Sequence, residues 1–215
     1  MAPVTVTLYG IYLSTCTRTV MTALEEKNVP YKFVIVDVTK GEGKQPAHLA
    51  RQPFGQVPAL EDGDVKMFET RAIVRYIANK WASQGTDLLG KTAAEKALTD
   101  TWTEVESQNY DPPISVIVAQ RVFRAMHGKQ ADEAIVAQET TKLEKVLAVY
   151  DAHLADKEYL NGSSFSAADL SHLPNTDYYV NKGGGEVVLK KYPNVWAWWQ
   201  RISSRPSWQK VAAMN

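Results

Sequence analysis

The sequence predicts an α/β domain over residues 1–83, a linker at 84–91, and an all-helical domain over 92–215. Two observations support this division. Apolar runs of strand type occur only in the first part, whereas the apolar patterns beyond residue 92 repeat at helical spacing. No internal repeat is visible. With 215 residues and 45% hydrophobic composition, the chain is long enough for two small domains with a substantial core.

The first part opens with a strand-helix-strand unit. Val4, Val6 and Leu8 alternate with polar residues before a glycine turn, which predicts a strand. Residues 15–28 carry apolar side chains at helical spacing, and 31–38 form a nearly continuous apolar run, typical of a strand covered on both faces. A parallel pair joined in this way takes a right-handed crossover.

The remainder of the first part predicts a short helix, two strands and a longer helix. Residues 57–68 give two short strands around the Asp-Gly pair at 62 and 63. Helical spacing returns from Glu69 to about Gln84. The predicted order of elements is therefore βαβαββα.

The second part is predicted to be helical. Residues 92–126 form a long helical pattern that is disturbed at Pro112 and Pro113, because proline lacks an amide hydrogen and its ring clashes with the preceding turn. Residues 132–154 carry a regular apolar stripe.

Three further helices are predicted towards the end of the chain. Ser166 and Asp169 have the spacing of an N-terminal capping box, which marks a helix start. Residues 194–203 and 207–213 form two short closing helices around a proline. The glycine run at 183–185 lacks the spacing of a phosphate-binding loop and is interpreted as a turn.

Composition argues against several functional classes. The 24 basic and 24 acidic residues cancel, so no net field attracts nucleic acid or an anionic membrane. We find neither a signal-peptide pattern nor a run approaching the ~20 apolar residues of a membrane span. The single cysteine, Cys16, forms no internal disulfide, which suits the cytosol. The 4 histidines show no i, i+4 pair, so we expect no metal site.

Several longer motifs carry a specific resemblance. The βαβ-ββα order with Pro58 opening the third strand is similar to the thioredoxin-like fold, and a following helical half is similar to soluble glutathione transferases. The motifs resemble the phi class of plant glutathione transferases in the same order over nearly the whole chain: "HLARQPFGQVPALEDGD" at 48–64, "FETRAIVRYIA" at 68–78, "KLEKVLAVYDAHL" at 142–154, "YLNGSSFSAADLSHLP" at 159–174 and "YPNVWAWWQRISSRPSW" at 192–208.

This resemblance implies an enzyme that conjugates reduced glutathione to hydrophobic electrophiles, and that reduces organic hydroperoxides through the same activated thiol. Glutathione is then a cosubstrate, and no tightly bound cofactor is expected. The resemblance also implies a homodimer with one site in each subunit. Two alternatives are a Cys16-dependent thiol transferase or deglutathionylase and a non-catalytic ligand carrier with the same fold.

The resemblance assigns catalysis to Ser14, as a hydrogen-bond donor to the thiolate of glutathione. The residue pattern by itself also fits an ordinary helix N-cap, and Thr15 is a reserve candidate. Cys16 is a rival because a thiol in a first helical turn can be reactive, but its register places it on the packed face of the helix. Tyr9 fits a structural role better, since it precedes a glycine turn.

The resemblance also assigns the residues that bind glutathione. Val57, before a cis Pro58, is expected to pair through its main chain with the cysteinyl unit, as an added strand would. Glu69 and Thr70 begin a helix whose free amides and dipole suit the γ-glutamyl end, and Lys44 is the candidate for the glycyl carboxylate. The glutathione-binding set is Leu13, Ser14, Gly43, Lys44, Gln56, Val57, Pro58, Glu69 and Thr70.

Three departures from the family pattern are visible. Gly43 stands where the phi class usually has histidine, which predicts the loss of one contact to the glycyl end. Thr70 stands in place of a serine, and Thr19 takes the usual place of an arginine, with Arg18 one position earlier.

The electrophile is expected in an apolar cleft between the two halves. Loose apolar walls imply broad selectivity, because small size differences are worth only about 1–3 kcal/mol in such pockets. The expected wall residues are Ile11, Tyr12, Leu13, Ile114, Val118, Phe123 and Tyr178.

Overall fold

The structure, a computed structural model, describes residues 6–214. The expected alternation at Val4 therefore lies outside the described residues. Two compact units are present: one joins the first 89 residues to the end of the chain from Pro206, and the other spans Gly90–Arg205. The two units divide between Leu89 and Gly90, and the last helix belongs with the first unit.

The first unit contains a four-stranded sheet in the order β2-β1-β3-β4. Strands β1 and β2 are parallel, and the other neighbouring pairs are antiparallel. The strands are β1 Val6–Gly10, β2 Tyr31–Ile35, β3 Ala59–Asp62 and β4 Val65–Phe68. The helices of the first unit are α1 Thr15–Glu26, α2 Pro46–Leu49, α3 Thr70–Lys80 and α11 Pro206–Ala212. The helices of the second unit are α4 Ala93–Val105, α5 Asp111–Val118, α6 Arg124–Met126, α7 Glu133–His153, α8 Ala167–Asn181, α9 Glu186–Leu189 and α10 Pro193–Ser203.

Helix α1 is buried along most of its length. Val20, Ala23 and Leu24 are fully buried, as their helical spacing predicts, and the helix packs against α3 and α11. Strand β2 differs from expectation. It lies at an edge of the sheet, and Ile35 is 57% exposed, so its apolar run does not indicate cover on both faces.

The long helical pattern of the second unit begins with a capping box. Thr92 accepts a hydrogen bond from the N–H of Glu95, and the Glu95 carboxylate accepts one from the N–H of Thr92. A π-helical turn over Glu106–Tyr110 precedes α5 and its prolines, and a second one over Ala119–Phe123 follows. The disturbance expected from the prolines thus takes the form of a widened turn, since a proline cannot donate to the preceding turn.

The capping box predicted at α8 is confirmed. The Asp169 carboxylate accepts hydrogen bonds from both the N–H and the hydroxyl of Ser166, each at 2.9 Å. It also accepts from the N–H of Leu160 at 3.0 Å and from the indole N–H of Trp198 at 2.9 Å. The carboxylate is fully buried, so these donors stabilise it in the core of the helical unit.

Candidate active site

Each of the four strands has one terminus at the same end of the sheet, and the adjoining segments of the chain meet there. Strand β1 ends at Gly10, beside Ile35, the last residue of β2. Strand β3 begins at Ala59, which lies between Tyr9 of β1 and Phe68, the last residue of β4. The segments that follow β1, β2 and β4 and the segment that precedes β3 are therefore close together. These segments carry the complete predicted glutathione-binding set.

Ser14 is the N-cap of α1, with an extended backbone at φ −73° and ψ 121°. Its Oγ accepts a hydrogen bond from the N–H of Thr17 at 3.2 Å, and its own N–H donates to the Ile11 carbonyl at 3.0 Å. A hydroxyl has one donor and two acceptor positions, so the cap leaves the hydroxyl proton for another acceptor. The side chain is half-buried and can be reached by a ligand. The N-cap role and the donor role are therefore compatible.

Cys16 is exposed, so the prediction that it packs in the core is wrong. Its register aligns it with the buried Val20, Ala23 and Leu24, but Cys16 itself is exposed. Thr15 and Cys16, the first two residues of α1, are not buried, and burial along the helix begins at Thr17. Thr15, the reserve candidate, is half-buried.

Arg18 holds the loop that precedes the capping serine. Its Nε donates to the Tyr12 carbonyl at 2.6 Å, and its Nη2 donates to the Met214 carbonyl at 3.4 Å. Arg18 is 5% exposed, so these charge-assisted hydrogen bonds are shielded from water. The Tyr12 ring lies 4.7 Å from that of Phe33. The main chain of the loop is thereby fixed from inside the first unit.

Tyr9 has a structural environment. Its hydroxyl donates to Oε2 of Glu61 at 2.7 Å, and the Arg51 guanidinium lies 4.3 Å from the centre of its ring. Burial and the Glu61 hydrogen bond raise the pKa of the phenol. A hydroxyl that is engaged by a carboxylate and is harder to ionise is poorly suited to activate a thiol.

The segment after β2 brings Gly43 and Lys44 against the loop before β3. Gly43 is buried, and a Cβ at this position would overlap the carbonyl oxygen of Gly55. This close approach is a physical reason for glycine at this position. The Lys44 ammonium donates to the Phe54 carbonyl at 2.7 Å and is exposed. Its remaining hydrogens can donate to a carboxylate.

The loop before β3 presents main-chain groups of Gln56 and Val57. The Val57–Pro58 bond is cis, as the resemblance implies. The N–H of Gln56 donates to Oε1 of Gln52 at 3.2 Å, and the Gln56 carbonyl lies 2.7 Å from Nε2 of His48. Both main-chain groups of Gln56 are therefore occupied on the protein side.

The segment after β4 contains a strained residue. Glu69 has φ +72° and ψ 109°, a conformation that L-residues with a side chain rarely adopt. It is the N-cap of α3 and is exposed, and Thr70 begins the helix. Backbone strain of this kind persists where the surrounding structure determines it, and it is common at ligand-binding sites. The α3 N-terminus provides a positive dipole end beside this carboxylate.

The apolar wall residues divide into two groups. Ile11 and Tyr12 are half-buried and Leu13 is 43% exposed, so this loop offers apolar surface. The second group needs correction, because three of its members are fully buried in the core of the helical unit and present no surface to a ligand. These three are Ile114, Val118 and Tyr178. Phe123 is half-buried, with its ring 5.3 Å from that of Tyr178.

Neither a metal centre nor a membrane-crossing helix is found in the part of the chain that the structure describes. Residues 6–214 hold no group of three or more His, Cys, Asp or Glu side chains placed to bind a metal ion. Within the same residues, no helix is long and apolar enough to cross a bilayer.

Comparisons with known proteins identify the family. Residues 4–79 match the model of the glutathione S-transferase N-terminal domain, and residues 114–206 match that of the C-terminal domain. Glutathione S-transferase F10 of Arabidopsis thaliana is 46% identical over 207 residues, which cover 96% of both chains. The chain belongs to the phi class of the glutathione transferases. The protein is accordingly an enzyme with glutathione transferase activity, not a carrier without catalysis.

Solved structures of phi-class transferases share the fold. Glutathione transferase F7 from Populus trichocarpa is 45% identical, with a TM-score of 0.92 over 96% of this chain and 97% of that one. The maize transferase I was solved in complex with an atrazine glutathione conjugate. It is 40% identical, with a TM-score of 0.88 over 97% of this chain and 96% of that one. These relatives confirm the thioredoxin-like and helical parts of the predicted fold.

Two buried polar side chains of this phi-class transferase, Arg18 and His48, contact the main chain of the predicted site. The sequence pattern predicts no contact for either residue. Both are buried polar side chains that bind main-chain carbonyls distant in sequence or in a turn. Local patterns carry no signal for such partners, because burial is a tertiary property.

Proposed function

We propose that the protein conjugates reduced glutathione to hydrophobic electrophiles, with the Ser14 hydroxyl donating a hydrogen bond to the glutathione thiolate. The observation that supports this most directly is the geometry of Ser14. Its oxygen accepts from Thr17, so its proton is left for a ligand at the N-terminal end of a twelve-residue helix. Ser14 acts as a donor and forms no covalent bond.

The energies involved are of a suitable size. A thiol with a reference pKa of about 8.5 needs about 2.7 kcal/mol of thiolate stabilisation to lower its pKa by two units. One hydrogen bond to a charged acceptor contributes about 1.5–3 kcal/mol, and a helix N-terminus adds about 0.3–1 kcal/mol. The hydroxyl and helix α1 together are therefore sufficient to ionise most of the bound thiol near neutral pH.

The remainder of glutathione is proposed to bind at the same end of the sheet. The Val57 main chain pairs with the cysteinyl unit, and Glu69 pairs with the γ-glutamyl amine while Thr70 and the α3 N-terminus bind the adjacent carboxylate. The Lys44 ammonium binds the glycyl carboxylate, and Leu13 and Gln56 flank the bound peptide. The strained φ of Glu69 and the exposure of Lys44 support this assignment.

The electrophile is proposed to contact the loop of Ile11, Tyr12 and Leu13. The exposure of Leu13 and the anchoring of the loop by Arg18 support this placement. The same thiolate also attacks the terminal oxygen of an organic hydroperoxide. The O–O bond breaks, an alcohol leaves, and a second glutathione converts the sulfenic acid to a disulfide and water. We therefore propose a secondary glutathione peroxidase activity.

Conjugation of 1-chloro-2,4-dinitrobenzene tests the role of Ser14. We expect Ser14→Ala to lower kcat/KM by about 100-fold, the magnitude found when one pre-organised donor to a developing charge is removed. Thr15→Ala, next to Ser14, is the matched control and should retain most of the activity. Equal activity of Ser14→Ala and the wild-type enzyme would show that the assignment is wrong.

Cys16-dependent thiol transfer is a second candidate, favoured by the exposure of Cys16. In this reaction the Cys16 thiolate would attack the glutathione sulfur of a protein–glutathione disulfide, which forms a Cys16–glutathione disulfide and releases the protein thiol. A glutathione thiolate would then attack that disulfide, which releases the Cys16 thiolate and forms glutathione disulfide. Cys16→Ser should leave conjugation unchanged. A measurable deglutathionylating activity that Cys16→Ser abolishes would support the second function, and its absence from the wild-type enzyme would eliminate it.

We further propose a cytosolic homodimer with one site in each subunit. The family supports the dimer, and the lone cysteine suits a reducing compartment. Light scattering coupled to size exclusion tests the dimer directly. A mass near twice 24.0 kDa is expected, and a mass near 24.0 kDa would refute the proposal.

A further inference from the structure

His48 lies behind the loop that is proposed to pair with glutathione. It belongs to the short helix α2 and is 3% exposed. Its Nε2 lies 2.7 Å from the carbonyl oxygen of Gln56. A carbonyl oxygen only accepts hydrogen bonds, so Nε2 of His48 is the donor in this contact.

Nδ1, the second ring nitrogen of His48, is not stabilised by a hydrogen bond at this position. Nδ1 of His48 is buried and meets no hydrogen-bond partner within residues 6–214. A buried polar atom without a partner lowers stability, so packing alone would favour an apolar side chain at this position. The contact that distinguishes histidine from such a side chain is the Nε2 hydrogen bond to Gln56.

This hydrogen bond acts on Val57 through a shared peptide group. The carbonyl of Gln56 and the N–H of Val57 belong to the same planar, rigid unit. In a non-proline trans peptide the two groups point in opposite directions, so a carbonyl held inwards directs the N–H outwards. The N–H of Gln56 is held in turn by Gln52, which restrains rotation about the preceding bonds.

We propose that His48 is a positioning residue for glutathione: by binding the Gln56 carbonyl, it fixes the Val57 N–H in the direction of the cysteinyl carbonyl. The inference rests on the proposed pairing of Val57 with the cysteinyl unit. Without the imidazole the peptide group samples rotated orientations, and glutathione must order it on binding. The effect is on ground-state binding, so it changes KM for glutathione more than kcat.

Kinetics of His48→Phe and His48→Gln provide the test. Phenylalanine keeps a planar ring without a donor, whereas the glutamine amide nitrogen can occupy the place of Nε2. We expect His48→Phe to raise KM for glutathione about tenfold with kcat within twofold, and His48→Gln to restore most of the affinity. His127→Phe, at an exposed histidine, is the matched control and should change neither value. A fall in kcat with unchanged KM would overturn the proposal.

A glutathione analogue separates this inference from the proposed function. In the analogue a methylene replaces the cysteinyl carbonyl, and affinities are measured by calorimetry. The wild-type enzyme should bind the analogue about tenfold more weakly than glutathione, and His48→Phe should weaken glutathione but not the analogue. Equal weakening of both ligands by His48→Phe overturns the role of His48. Equal affinity of the wild-type enzyme for both ligands overturns the Val57 pairing itself.

Protein stability is monitored by circular dichroism in each variant. If His48→Phe does not fold, His48→Asn replaces it, because the shorter asparagine amide ends before it reaches the Gln56 oxygen. The same rise in KM is expected. An unchanged KM in a folded His48→Asn overturns the proposal.

Discussion

Ser14 and Ser166 both cap helices, but their surroundings differ. Ser14 caps α1 at the end of the sheet where the predicted site lies, and its side chain is half-buried. Its oxygen accepts a hydrogen bond, which leaves its hydroxyl proton available to a ligand. Ser166 caps α8 in the helical unit, is fully buried, and donates its proton to Asp169. The same residue type at the same helix position is thus proposed to serve chemistry in one unit, whereas it serves stability in the other. Accessibility and a spare donor make the difference.

The contrast extends to the other polar groups of the two units. In the helical unit, Tyr150 and His172 are fully buried and hydrogen-bonded to each other at 3.1 Å, and Tyr110 bonds to Thr176 at 2.7 Å. Burial raises the pKa of both tyrosines. At the predicted site of the first unit, by contrast, the side chains of Lys44 and Glu69 are exposed, and the backbone of Glu69 is strained. The following predictions test this division from the largest expected effect to the smallest.

Asp169→Ala should have the largest effect, and on stability alone. The substitution removes the acceptor of hydrogen bonds from Leu160, Ser166 and Trp198, and it leaves their buried donors without a partner. We expect the free energy of unfolding in urea to fall by about 3–5 kcal/mol. A loss below about 1 kcal/mol would remove the structural role assigned to this network.

Glu69→Gly should separate function from stability in the first unit. Glycine adopts φ +72° without steric cost, so the free energy of unfolding should stay equal or rise by about 1 kcal/mol. Loss of the carboxylate should lower the affinity for glutathione about tenfold, the loss of one hydrogen bond to a charged group. Calorimetry and urea unfolding measure both quantities. A variant that keeps full affinity would show that Glu69 does not bind the γ-glutamyl amine.

Ser166→Ala tests the capping contrast in the helical unit. It should lower the free energy of unfolding by about 1–2 kcal/mol, as loss of a helix cap does. The activity of the folded enzyme should remain within twofold of the wild type. The reverse pattern is expected for Ser14→Ala, whose main loss is activity. A large fall in the turnover of folded Ser166→Ala would remove the distinction between the two caps.

Glu61→Gln should have the smallest effect and should depend on pH. The hydrogen bond from Tyr9, together with Arg51, lowers the pKa of the Glu61 carboxyl below its ordinary value. A lowered pKa means that the contribution of Glu61 to stability is present above its unfolded pKa and is lost as the pH falls through the folded pKa. The difference in Tm between wild type and Glu61→Gln should therefore be largest near pH 7 and vanish in acid. A difference that is constant from pH 7 to pH 2 would contradict this.

Features set by neighbours in sequence were predictable. The Ser166–Asp169 box and the strands around the Asp-Gly pair are confirmed because spacing of a few residues determines them. The motifs that resemble the phi class also identified the family correctly. Exposure was less predictable. The register of Cys16 indicates a side of α1, but it does not indicate where along the helix burial begins.

The burial of three expected wall residues in the helical unit differs from the prediction for a related reason. Ile114, Val118 and Tyr178 have the apolar character of either a core or a ligand wall, and only the packed helices show that they belong to the core. The hydrogen bonds of Arg18 and His48 depend on carbonyl groups that the fold brings to them. No local pattern predicts contacts of that kind.

The pKa of the glutathione thiol in the enzyme complex tests the central claim most directly. Thiolate absorbance in the ultraviolet, titrated at saturating glutathione, gives this pKa for the wild-type enzyme and for Ser14→Ala. The reference thiol has a pKa of about 8.5, and we expect the wild-type complex to titrate about two units lower. Ser14→Ala should return the value to within about half a unit of the reference. An equally low pKa in Ser14→Ala would contradict the account, because the thiolate would then be stabilised without the Ser14 hydroxyl.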